Sequence, residues 1–124
     1  MEKPLILCYG LPEEDCAALK RFAKRYGAGI RRVLPPSYTL PIAAVASGLE
    51  GGALAPLNEL PEPMLVFANF PRAMLEVFLD ALRASEVRKV PLKAVVTATN
   101  AAWTAEVLYR ELCRERSAVL NLKD

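Results

Sequence analysis

Pro4-Leu5-Ile6-Leu7-Cys8-Tyr9-Gly10-Leu11-Pro12 aligns without gaps on Pro63-Met64-Leu65-Val66-Phe67-Ala68-Asn69-Phe70-Pro71, and this echo decides how the chain is read. Each stretch is an apolar run of β-formers. Gly10 then suits a left-handed turn, and Pro12 suits the first position of a helix. A helical pattern and a second short strand pattern follow in both cases. The chain therefore reads as one β-α-β unit written twice, over about 4–34 and 63–96, followed by a C-terminal helix over about 100–117. Residues 1–124 are the size of a single domain that buries a core without staples.

Working outward, Leu5 to Tyr9 and Met64 to Ala68 are too unbroken to leave one face in water, which makes them central strands. Glu13, Glu14 and Asp15 favour a helix start after Pro12. Cys16, Leu19, Phe22, Ala23 and Tyr26 then form one stripe before Gly27. Ile30 to Leu34 is a more polar strand, and its adjacent Arg31 and Arg32 predict an edge. Pro41 to Ser47 reads as a short apolar helix, after which Gly51-Gly52 and the prolines from Pro56 on predict exposed loop. The second unit repeats the helix with Met74, Leu75, Phe78, Leu79 and Leu82, and Leu92 to Val96 is its second strand. The last helix is expected to begin near Thr99 or Asn100, with Trp103, Val107, Leu108 and Leu112 facing inward. This order, with right-handed crossovers, predicts an α/β fold: a small doubly wound parallel sheet in strand order 2-1-3-4. A ferredoxin-like α+β fold is the alternative. The long join between the halves and the doubly apolar strands favour the former.

Composition narrows the chemistry. The chain has no histidine, which removes the usual general base and metal ligand together with every Ser-His or Cys-His arrangement. Cys8, Cys16 and Cys113 contain no CxxC pair, so neither a disulfide framework nor a metal site is expected, and Cys8 reads as core. No cofactor is indicated, and the expectation leans away from an enzyme. Net charge is +2 with the signs interleaved, so nucleic acid is not an expected partner. Lys20, Arg21, Lys24, Arg25, Arg31, Arg32, Arg88 and Lys89 are read as compensating helix C-termini. No apolar run approaches the ~20 residues that span a bilayer. The opening Met1-Glu2-Lys3-Pro4 lacks a basic-then-apolar leader, which gives a cytoplasmic expectation.

Lys93-Ala94-Val95-Val96-Thr97-Ala98-Thr99-Asn100-Ala101-Ala102-Trp103 runs from a strand into a turn of small hydrogen-bonding residues. The segment resembles the signature of a bacterial family named domain of unknown function 3783, in which a Lys-Ala-Val strand precedes Thr-x-Thr-Asn, two variable residues and Trp. Lys93, Thr97, Thr99, Asn100 and Trp103 match that pattern. The resemblance implies no activity, and no catalytic residue is carried over with it.

Read physically, Thr99 or Asn100 suits the N-cap of the last helix. The functional alternative is an anion site, in which Thr97, Thr99, Asn100 and Lys93 converge with Gly10 and Asn69 beyond the central strand ends. Two functions follow from these readings. The first is a small non-enzymatic binding or interaction module that self-associates as a homodimer through Leu40 to Leu60 or the second helix. The second is a phosphate- or nucleotide-type small-ligand protein or enzyme using the Thr97 to Asn100 turn.

Overall fold

A computed structural model describes residues 3–51 and 60–123. The elements are β1 (Leu5–Tyr9), α1 (Glu13–Lys24), β2 (Gly29–Val33), a 3-10 turn (Pro35–Thr39), α2 (Ile42–Ala46), β3 (Met64–Ala68), α3 (Arg72–Ala84), β4 (Leu92–Val95) and α4 (Ala105–Lys123). The loop expected after Gly51 falls largely on residues 52–59, outside the described residues.

The four strands form one sheet in the order β2-β1-β3-β4, which is the expected 2-1-3-4. Their directions correct the doubly wound expectation. β1 and β2 are parallel, as are β3 and β4, but β1 runs antiparallel to β3, so the sheet is mixed. It is not ferredoxin-like either, because the two strands of each unit are direct neighbours rather than split by a strand of the other. Leu7 pairs with Val66, its own counterpart in the sequence alignment, and Leu5 and Tyr9 pair with Ala68 and Met64. A local two-fold axis therefore passes through the sheet between Leu7 and Val66. Gly10 and Asn69 both take left-handed conformations, φ 71° and 64°, and Pro12 and Pro71 share the same extended backbone before their helices.

This symmetry decides the layers. Two crossovers of the same hand, leaving antiparallel strands toward opposite edges, fall on the same face of the sheet. Accordingly Ile6, Cys8, Leu65 and Phe67 all pack against α1 and α3, through Cys16, Leu19 and Ala23 of one and Phe78 and Leu82 of the other. Phe78 lies within 5.4–6.1 Å of the rings of Phe22, Tyr26, Phe67 and Phe70, all at steep, edge-on angles. The opposite face, with Leu7, Tyr9, Met64, Val66 and Leu92, is covered by the 3-10 turn and α2 (Tyr38, Ile42, Val45) and by α4 (Ala105, Leu108). Alternate residues of the central strands thus meet different helices, which is why neither face carries polar residues.

α4 starts at Ala105, five residues beyond Asn100, so neither Thr99 nor Asn100 is its cap. Thr104 occupies the flanking position, and its Oγ1 accepts from the Val107 N–H at 3.5 Å. Val107, expected to face inward, is 38% exposed.

Candidate functional site

Beyond β4 the chain folds back on itself around one amide. Asn100 Oδ1 accepts from the Thr97 N–H at 2.8 Å, and Asn100 Nδ2 donates to the Val95 carbonyl at 2.9 Å. The Asn100 N–H donates to Thr97 Oγ1 at 3.1 Å. Only a side chain with an acceptor and a donor on one short planar group makes both contacts, which accounts for asparagine here. The residue is buried, with 8% of its surface exposed. Two backbone bonds complete the turn, Ala101 N–H to Thr97 O and Trp103 N–H to Asn100 O, both 3.0 Å.

The carbonyls this turn presents are used from the other half of the chain. The Ile42 and Ala43 N–H groups, orphan donors of the first turn of α2, donate to Trp103 O at 2.9 Å and Ala101 O at 3.0 Å. The Thr-x-Thr-Asn-x-x-Trp segment is therefore a clamp that receives α2. At its far end, α2 is held by Arg31, whose guanidinium donates to Val45 O and Leu49 O at 2.6 Å each.

A cleft of about 470 Å³ runs between β4 and α4, and Lys93, Thr97, Thr99, Asn100 and Trp103 all line it. Glu111 and Glu115 also line it, and the Arg114 hydrogen bond holds the Glu111 carboxyl below the usual range. The expected anion site is only partly assembled. Lys93 lines the cleft, but its ammonium donates to the Val90 carbonyl. Asn69 lies at the end of β3 nearest the turn, yet it is exposed and donates to Lys3 O at 3.4 Å. Gly10 lies at the opposite end of the sheet, because β1 is antiparallel to β3, and is packed beside Leu60, Glu62 and Pro63. Gly10 and Asn69 are thus not neighbours. With the Asn100 amide committed internally and two carboxylates lining the cleft, an anion here meets repulsion and few free donors.

Sequence reading missed one contact. Cys8 and Cys16 are both buried in the same cluster, where Cys16 Sγ donates to Leu11 O at 3.6 Å, and interaction with the Cys16 thiol together with burial raises the Cys8 thiol pKa. The Cys16 thiol is lowered, mainly by its interaction with Cys8 and further by the Arg32 charge, against the opposing effect of burial. Only the fold brings the two together, since no sequence spacing signals a strand residue meeting a helix residue across a turn. Among the described residues no group of three His, Cys, Asp or Glu is placed to hold a metal ion, and no helix is long and apolar enough to cross a membrane.

Residues 63–119 match the family model described as Domain of unknown function (DUF3783). The match covers β3, α3, β4, the clamp and most of α4. No curated protein and no solved structure matches the chain.

Proposed function

We propose that this chain, whose residues 63–119 match the DUF3783 family model, is a non-enzymatic interaction module of the bacterial cytoplasm that self-associates through α3. The observation that carries this reading is Val77, 59% exposed in the middle of that helix. Ala73 and Ala84 are exposed on the same side and Ala81 is half-buried, so helical spacing gathers them with Val77 into one smooth apolar strip. The ion pairs Arg72–Glu76 and Asp80–Arg83 lie along one flank. Alanines let two helix backbones approach closely, and a 13-residue helix offers about 20 Å of contact. Antiparallel pairing of two copies of α3 places Val77 on Val77 across a two-fold axis.

The phosphate- or nucleotide-type reading of the Thr97 to Asn100 turn has less support, because the Asn100 amide and Thr97 Oγ1 are spent inside the clamp. Sedimentation equilibrium at tens of micromolar (roughly the range of a modest helix interface) is expected to give a dimer. Val77→Asp is expected to give a monomer with unchanged circular dichroism. A monomeric parent protein at that concentration removes the reading.

A further inference from the structure

Four cations gather where α3 ends and the chain turns back into β4. Arg83, Arg88, Lys89 and Lys93 line a cleft of about 320 Å³ with an apolar floor that includes Leu82 and Val90. Among the described residues no acidic side chain lines it. Two of the four charges are matched at the rim, Arg83 by Asp80 at 3.0 Å and Arg88 by Asp15 at 2.9 Å. Lys89 spends its three donors on the carbonyls of Leu82, Arg83 and Ser85 at 3.1, 2.8 and 2.7 Å, closing the C-terminus of α3. Lys93 is half-buried and donates to the Val90 carbonyl, which leaves it further N–H donors. Lys89 and Lys93 are thus held by neutral carbonyls, and two positive charges stand over an apolar floor.

Burial, then repulsion from Arg83 and Lys89, holds the Lys93 ammonium below the usual lysine range. Such a cluster costs stability unless an anion offsets it. A phosphate monoester carries about −1.5 to −2 at pH 7, which matches two uncompensated positive charges better than a carboxylate does. Among the described residues no aromatic ring lines the cleft, so the floor suits an aliphatic body rather than a stacked base. We propose that this cleft binds a phosphate monoester with a small aliphatic body, Lys93 donating to its oxygens and Arg83 and Arg88 closing over it. The site lies on the flank of α3 facing β4 and shares only Arg83 with the border of the Val77 strip.

Calorimetry of the whole chain with n-butyl phosphate, at an ionic strength fixed with chloride, is expected to show saturable binding. Lys93→Gln should weaken it about tenfold or more, as loss of a charge-assisted bond does, while Lys20→Gln on the exposed flank of α1 leaves it unchanged. Lys93→Met should abolish the Tm increase that n-butyl phosphate gives the parent, and a Lys93→Met protein that n-butyl phosphate stabilises as much as it does the parent overturns the proposal. Pelleting with phosphatidylcholine vesicles doped with phosphatidic acid, lost in Lys93→Gln, assigns the phosphate to a lipid headgroup. Binding of n-butyl phosphate without pelleting assigns it to a free ester. Inorganic phosphate binding as tightly as n-butyl phosphate overturns the aliphatic body. Absence of both saturable heat and pelleting, or equal affinity in Lys93→Gln, overturns the site.

Discussion

Asn100 shows how much one side chain carries when it is buried and fully used. Asn100→Ala strands the Thr97 N–H and the Val95 carbonyl. Both bonds are part-buried, so at about 1–3 kcal/mol for a fully buried unsatisfied group the expected loss is about 1–3 kcal/mol in all by urea denaturation. Asn100→Asp keeps the acceptor but sets a second carboxylate oxygen against the Val95 carbonyl, so it too should destabilise. An aspartate variant as stable as the parent would show that the amide donor is dispensable. Tyr9 presents the opposite case, because its hydroxyl is buried without a hydrogen-bond partner among the described residues. Burial raises its pKa, with the Arg31 charge pulling the other way, and the phenol stays neutral. Tyr9→Phe removes an unpaired polar atom from the core and is expected to be neutral or about 1 kcal/mol stabilising in the same assay.

At the scale of elements, α2 is the instructive piece, for five residues do not hold a helix by their own propensity. Its first N–H groups belong to the clamp and its last carbonyls to Arg31. Arg31→Met should therefore cost about 1–3 kcal/mol, because it leaves Val45 O and Leu49 O without a charged donor. Val77→Asp, on the open side of α3, should shift monomer stability by less than about 0.5 kcal/mol in dilute urea titrations. Periodicity located the strands, α1 and α3 to within a few residues, because period and burial agree in each. It could not give the relative direction of the halves, since Leu5 to Tyr9 is equally apolar whichever way Met64 to Ala68 runs beside it. The start of α4 was misplaced because Asn100 has the chemistry of a cap, while its actual acceptor and donor partners, Thr97 and Val95, lie upstream in the turn and strand. Lys93 was recognised as notable, but its cleft needs Arg83 and Lys89, which only the packing of α3 against β4 brings near.

At the scale of the whole molecule, the halves are joined by the β1–β3 pairing, by the bonds from α2 to the clamp, and by the Arg88–Asp15 ion pair at 2.9 Å, while Arg116 of α4 bridges to both carboxylate oxygens of Glu62 just before β3. Trp103, the chain's single tryptophan, lies in the clamp, so its fluorescence and far-ultraviolet dichroism should report one coincident urea transition. Two separated transitions would mean that the halves unfold independently. The Arg116 hydrogen bond holds the Glu62 carboxyl below the usual glutamate range. Its contribution is complete above that range and is lost as the pH falls through the lowered folded pKa. Glu62→Gln should accordingly flatten the acid limb of the stability profile. The axis between Leu7 and Val66 also sets the order of events in time. Strands within a half meet across one helix, whereas Leu7 finds Val66 only after a loop of roughly half the chain has closed, the more costly step in entropy. The rate-limiting barrier to folding belongs at that seam: in denaturant-jump kinetics Leu7→Ala and Val66→Ala should slow refolding, while Leu82→Ala, confined to one half, should chiefly hasten unfolding.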